Sequence, residues 1–482
     1  MELEATATLA LDDAPVEAVP AEPRSEVKPA PARNNAARAE MLTEAILPTL
    51  LRLALPTIVV LVAQTAVNVA EAYYVGFLGT DALAGVALVF PIFMLMTMMS
   101  NGGFGSGVAS SVARAVGAGR KDDADALVFH AVILAIIVGA LFTAAAIKGG
   151  PVMYRMLGGR AEALDAALKY SNYLFAGAIP VWIVNLQAAA LRGAGNVKVP
   201  ALVTLVGALV MIPASPLLIF GLGPIRGLGI QGAGIAFAVY YCAAMLVLLR
   251  YMASGRSGLT FKMVPLQSRL FMDILKVGVP TAINAILTNL TVILVTGAFG
   301  LFGTTALAAY GISSRLDYIM IPLLFGLSTA VLTMVGVNIG AGQVARAKKI
   351  AWTGGVTGLA LTGSIGIVVA SFPMLWLHLF SKDPVVLADG ATYLRIVTPA
   401  YAALGFGFVI AFAAQGAGHV FWPFVAAVGR ILVAAGLGWI AVGYFGAGLA
   451  GLSAMVTVSL LVYAAACAMA MIAGSVWKTD RT

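Results

Sequence analysis

Apolar runs long enough to cross a bilayer recur from residue 52 to residue 473, and that recurrence limits the chain to one kind of fold. Twelve are distinguishable: 52–77, 82–111, 125–147, 170–192, 199–221, 230–252, 273–301, 305–336, 350–379, 393–415, 422–445 and 449–473. Each meets the roughly 20 residues that a rise of about 1.5 Å per residue needs to cross about 30 Å of hydrocarbon. In hydrocarbon the backbone must satisfy its own hydrogen bonds, so a spanning segment is a helix or part of a closed barrel. These runs lack the short alternating pattern of a barrel. Composition agrees: 61% of the 482 residues are hydrophobic and 10% are charged, against about 25% charged in soluble domains. The expected fold class is an all-α polytopic membrane protein.

The remaining composition excludes several functions. The net charge of +8 comes mostly from Lys and Arg in segments between apolar runs, which points to membrane topology and not to nucleic acid. Their bias places both termini in the cytoplasm of a multi-pass membrane protein, although loop 148–169 runs against it; the expected membrane is the plasma membrane, the bacterial inner membrane. Cys242 and Cys467 lie far apart in apolar runs, so neither a disulfide framework nor a metal site is expected. The histidines His130, His378 and His419 show no ligand or nucleophile spacing. Residues 1–40 contain no signal-peptide core. Segment 1–44, rich in Ala, Pro, Glu and Arg, reads as a disordered cytoplasmic tail, with too little apolar surface to offset the entropy of ordering.

An internal repeat organises the rest. "LALPT" at 53–57 recurs as "VGVPT" at 277–281, and "FLGTDALAG" at 77–85 as "LFGTTALAA" at 301–309, a shift of 224. "VGAGR" at 116–120 recurs as "IGAGQ" at 339–343, and "RGAGNVKVP" at 192–200 as "QGAGHVFWP" at 415–423, a shift of 223. The chain therefore divides into an N-lobe of six helices at 45–256 and a C-lobe with its connector at 257–475, followed by a short tail at 476–482. Six is even, so the lobes run the same way through the membrane and are related by an axis along its normal. A transporter needs two bundles that rock about a shared site; an enzyme needs no such symmetry. The four repeat-related Gly-Ala-Gly triplets have no preceding strand and no following GK[ST]. They fit helix ends and turns, not nucleotide loops.

With these motifs in this order, the sequence resembles the multidrug and toxic compound extrusion (MATE) family of efflux transporters over roughly residues 45–475. The resemblance rests on "LALPT", "NVAEAYYVG", "LGTDALAG", "GAGR" and "LRGAG", and on "VGVPT", "FGTTALAAYGISSRLD", "NIGAGQVARAKK" and "AAQGAG". It implies two six-helix lobes forming a V around a central cavity. It also implies export of amphipathic, often cationic compounds in exchange for protons or sodium ions. The expected partners are a small amphipathic substrate and the bilayer, with no nucleic acid and no cofactor, in a monomer that is not an enzyme.

Gln64, Asn68 and Glu71 follow i, i+4, i+7 spacing on the first helix, which puts them on one face. Unpaired polar groups facing lipid cost several kcal/mol, so this face is expected to line a cavity. Glu71 stands where the family has its first-helix acidic residue. The resemblance makes it, with Asn68 and Gln64, the coupling-ion site. The expected coupling ion is a proton, with sodium as the alternative. The repeat replaces Glu71 with Val295. Ser215 and Met211 stand where some family members carry Asp and Asn, which weakens a sodium site built from many oxygens.

Other candidates are weighed against packing. Tyr74, Asn284, Thr288 and Thr291 are read as cavity lining or substrate contacts, the last three also as helix–helix hydrogen bonds. Asp317, Arg315 and Arg430 fall within apolar runs; rare charges there pair and face inward, and Asp317 with Arg430 is the preferred ion pair. Pro56 and Pro280, repeat-related, are candidate hinges. Gly103 and Gly107 suggest close helix packing. A lipid-linked precursor flippase is the rival transporter reading, and the N-half spans carry no Lys or Arg in their middles to support it.

Overall fold

The computed structural model describes residues 32–222 and 225–477. Among these, eleven long apolar helices are each able to cross a membrane, and a twelfth crossing is made by Ala161–Ala176 and Ala178–Gly193, bent by 48°. In order the spans are Ile46–Gly76, Thr80–Gly117, Lys121–Met156, the bent pair, Lys198–Phe220, Ile230–Ala253, Ser268–Gly300, Thr304–Gly340, Val344–Ser371, Pro384–Gly416, Phe421–Gly443 and Leu449–Ile472. All twelve expected runs are helices. Most overrun their apolar windows by a turn or more, because a helix continues through polar residues such as Arg52 once its core is seeded. Between the fifth and sixth spans, Gly221–Leu222 pairs with Ile225–Arg226 in a small antiparallel hairpin.

The first six spans form one lobe and the last six the other. They meet through the second span against the seventh and the eighth against the first. A Cβ at Gly103 would lie 2.8 Å from Ala282 of the seventh span, and one at Gly326 of the eighth would run into Ile58 of the first. Gly103 and Gly326 are themselves repeat-related, 223 apart. Small residues let these backbones touch, which is how helices associate without a hydrophobic driving force. The contacts lie in the half of the bundle that carries both described chain ends, here termed the terminal face. At the other ends of the same spans, a Cβ added at Gly76, Gly79, Gly300 or Gly303 would meet no other part of the protein within 4 Å. The lobes thus converge at the terminal face and part toward the opposite one, like the arms of a V.

The four repeat-related Gly-Ala-Gly triplets lie at the terminal face, and their two glycines do different work. The second of each, Gly119, Gly195, Gly342 and Gly418, has φ between 74° and 85°, the left-handed turn that ends a helix. The first packs backbone to backbone. An added Cβ at Gly117 would strike the Val337 carbonyl, and one at Gly340 would strike the Arg114 carbonyl, a reciprocal contact across the lobes. Hydrogen bonds follow the same twofold logic. Ser110 Oγ donates to the Gln415 carbonyl, and Thr333 Oγ1 donates to the Arg192 carbonyl at 3.2 Å. Ser110 and Thr333, like Arg192 and Gln415, are 223 apart.

Three boundaries differ from the sequence reading. Ala32–Thr43 is a helix, not part of a disordered tail to residue 44; residues 1–31 lie outside the described part. Composition treats solvent as the surroundings, whereas this Ala-rich segment finds a docking surface at the terminal face. Met41 is buried there. Arg38 Nη2 donates to the Gly117 carbonyl at 2.9 Å, and Asn338 Nδ2 donates to the Met41 carbonyl at 3.1 Å, so the helix touches both lobes. At the other end, Val476 and Trp477 are buried and not in a free tail, and Trp477 Nε1 donates to the Met471 carbonyl at 3.0 Å. Finally, the connector belongs to the N-lobe up to Gln267. The Thr260 N–H donates to Asp125 Oδ1 at 2.7 Å, the Gln267 N–H donates to His130 Nε2 at 2.8 Å, and Leu259 is buried in the N-lobe core. His130 Nδ1 lies 2.8 Å from the Ala126 carbonyl. With Nε2 accepting, that proton sits on Nδ1 in a neutral ring.

Candidate functional site

Of the three residues of the first-span stripe, Gln64 lines a cavity and Asn68 and Glu71 line neither of the two described. Thr57, Leu61 and Gln64 line a small, partly open cavity that continues to Asn101, Arg192 and Tyr241 of neighbouring helices. Asn68 and Glu71 extend the stripe toward the open face, beyond the cavity wall. Glu71 is half-buried, and its Oε1 is shut away from solvent without a hydrogen-bond partner among the described residues. Tyr170 of the fourth span and Tyr241 of the sixth lie within electrostatic range of its carboxyl group. No salt bridge to Glu71 occurs among the described residues. A carboxyl group set in an apolar bundle with no cation beside it is a costly arrangement. On the fifth span, which packs against the first, Ser215 is buried with its hydroxyl also unpartnered.

A second, smaller cavity lies between the lobes, lined by Asn101, Ser106, Arg192, Thr329 and Thr333 among others. Arg192 and Asn101 line both cavities, and Arg192 Nη2 donates to Asn101 Oδ1 at 2.8 Å. Arg192 ends the fourth span against both cavities. The signal that marks it in the sequence is a break in the repeat, where Gln415 stands in its place.

The second-half candidates are placed otherwise. Thr288 Oγ1 donates to the Asn284 carbonyl at 2.9 Å and Thr291 Oγ1 to the Leu287 carbonyl at 2.7 Å. Both hydroxyls are thus satisfied within their own helix and not across helices. Asn284 Oδ1 is buried without a partner among the described residues. Its neighbour Asn289, absent from the sequence-based candidates, reaches across the lobes, with Nδ2 3.1 Å from Met98 sulfur. Tyr74 packs against the N-lobe core and against Tyr73. None of Tyr74, Asn284, Thr288 and Thr291 lines either cavity.

The expected ion pair does not form. Asp317 Oδ1 accepts a hydrogen bond from Tyr401 Oη at 2.6 Å. Arg430 stands farther off, within electrostatic range of Asp317, and its Nε is buried without a partner among the described residues. Arg315 is exposed on the helix and covers the Phe380 ring at 5.3 Å. A tyrosine hydroxyl supplies what a charge was expected to supply. Tyr401→Phe leaves this buried carboxyl group without its donor, which costs about 1–3 kcal/mol. The variant is expected to melt at lower temperature in detergent than the wild type; an unchanged midpoint would show that the bond contributes nothing to stability.

Pro56 lies in the first span and Pro280 in the seventh, each inside a continuous helix. Both sit beside the inter-lobe contacts at Ile58 and Ala282, where a missing backbone donor softens the helix.

The two halves also match a known profile. Residues 56–217 and 280–440 each match the MatE family. The chain belongs to the MatE family. The two matched blocks begin at Pro56 and Pro280, the repeat already read from the sequence. A protein of Shewanella oneidensis described as an FAD transporter is 26% identical over 77% of this chain and 82% of its own length. A probable multidrug resistance protein of Bacillus subtilis, YoeA, is 27% identical over 73% of this chain and 77% of its own. In fold, the chain superposes on the outward-facing conformation of a multidrug resistance MATE family transporter with a TM-score of 0.81, over 91% of this chain and 98% of that one, at 23% identity. MATE proteins are membrane transporters, not enzymes, and this chain has their twelve-helix fold.

Proposed function

We propose that this MATE chain is a secondary active antiporter that exports small amphipathic organic compounds in exchange for protons, by alternating access between its two lobes. The terminal face is the cytoplasmic one in this reading, following the bias of Lys and Arg. One observation carries it: the Glu71 carboxyl group, buried on the first span with an unpartnered oxygen. Desolvation disfavours a charge and hydration favours it, so a carboxyl group moved between a dry and a wet seat exchanges a proton at each passage. Lobe rocking supplies that alternation without covalent chemistry. Sodium, which needs several oxygen ligands, is the weaker reading, since the fifth-span position offers only Ser215.

The test is transport in proteoliposomes under separate gradients. Uptake of a fluorescent amphipathic dye is expected under a proton gradient with sodium absent. Transport driven by sodium alone, with none under the proton gradient, would replace the proton with sodium.

A further inference from the structure

We propose that Arg192 is an anion-recognition point where the N-lobe cavity meets the inter-lobe cavity, and that the compounds exported carry a carboxylate or phosphate group that it holds. This inference rests on the exporter reading and names the chemistry of its substrate.

Arg192 lines both cavities, and neither wall contains an Asp, Glu or Lys among the described residues. Its side chain bonds only to the neutral amide of Asn101, and no carboxylate lies within salt-bridge distance among the described residues. A guanidinium presents five donors in a planar fork that matches carboxylate and phosphate. Most of that fork has no protein partner here. Intramembrane charges are costly unless paired or placed on a pathway, so the missing counter-charge belongs to whatever enters the cavity.

Packing does not explain the charge. The backbone of Arg192 receives the Thr333 hydroxyl, and the backbone of Gln415 receives the Ser110 hydroxyl in the repeat-related place. A neutral side chain serves the same fold position in the C-lobe. Two further departures from the repeat meet at the same spot. Asn101 stands where the C-lobe has buried Leu324. It also lies in a π-helical turn, Met98–Phe104, whose counterpart at 321–327 is ordinary α-helix within Thr304–Gly340. Such turns are frequent at functional sites; the C-lobe has one at a different place, Leu432–Leu437. Charge, orienting amide and widened helix thus coincide in the N-lobe alone. The expectation of often cationic substrates concerns the rest of the molecule; a zwitterion satisfies both.

The experiment uses paired probes in proteoliposomes: a xanthene dye with a free carboxylate against its methyl ester, and flavin mononucleotide against riboflavin. The readout is the ratio of uptake within a pair. Wild type is expected to favour the anionic member of at least one pair by about tenfold or more, the worth of a charge-assisted hydrogen bond. The pair that discriminates assigns the group to carboxylate or phosphate. Arg192→Gln, the residue the repeat itself uses, is expected to bring the ratio to near one. Equal handling within both pairs by wild type, or an unchanged ratio in Arg192→Gln, overturns the proposal. Should Arg192→Gln carry no probe, binding of both pairs to detergent-purified wild type and Asn101→Leu decides. Equal wild-type affinities within both pairs, or a gap unchanged in Asn101→Leu, overturn the proposal, and a gap narrowed in Asn101→Leu supports it. Absence of any proton-driven uptake counts against the antiport reading, whereas equal handling within pairs counts against Arg192 alone.

Discussion

Glu71→Gln is expected to lower proton-driven transport by about a hundredfold or more, the scale on which a positioned proton-transfer group acts, while the protein remains folded. The side chains are nearly the same size, but an amide has no proton to release when its seat becomes wet. The fold has little to lose, because the buried Oε1 has no partner among the described residues. A neutral amide also removes the cost of burying a charge, so the melting temperature is expected to hold or rise. Loss of transport with unimpaired melting separates a coupling group from a structural one. Wild-type rates in Glu71→Gln under the same proton gradient would end the coupling reading. A fall in melting temperature with proportional loss of transport would make Glu71 a packing residue.

Gly117→Ala is expected to cut transport about tenfold or more and to open the terminal face. Replacing glycine by alanine inside a helix normally stabilises it by about 1 kcal/mol. Here the new methyl group falls on the Val337 carbonyl of the other lobe, a backbone atom that cannot rotate away. Overpacking of this kind costs about 1–3 kcal/mol. The state with the lobes joined at this face carries that cost, and the equilibrium moves toward states in which they part. Distances between spin labels at the terminal ends of the second and eighth spans report the shift, as a longer population. Gly76→Ala and Gly300→Ala are the controls, since a Cβ added at either would meet no other part of the protein within 4 Å; both are expected to be neutral or stabilising. Unchanged distances and transport in Gly117→Ala would show that the reciprocal glycine contact does not hold the lobes together.

What was legible in the sequence divides by physical cause. The spans could be read because hydrocarbon imposes long apolar runs on any helix that crosses it. Glu71 could be read because a carboxylate breaks such a run. The triplets were legible as turns, but not as contacts: positive φ is a local property of Gly119, whereas the approach of Gly117 to Val337 depends on a partner 220 residues away. Helix Ala32–Thr43 stayed hidden because its docking surface is supplied by other spans. Arg192 stayed hidden because hydropathy assigns a charge at a span end to water, and the bend of the fourth span brings that end against the cavity. Asp317 shows the reverse error. Its burial was legible, yet Tyr401 and not Arg430 reaches it, a choice made by helix rotation that spacing alone does not fix.

The attachment of the connector to the N-lobe has a mechanical consequence. Asp125 and His130 hold Thr260 and Gln267, and Arg269 pairs with Asp123 at 2.7 Å. The link between the lobes is therefore not a slack tether. It resembles the spine of a book bound to one cover, and the binding continues into the seventh span, where Ser111 Oγ donates to the Asp273 carbonyl at 2.8 Å. Leu270 and Ile274 are buried in the N-lobe core, so a swing of the C-lobe, as the proposed cycle requires, works against a bound link.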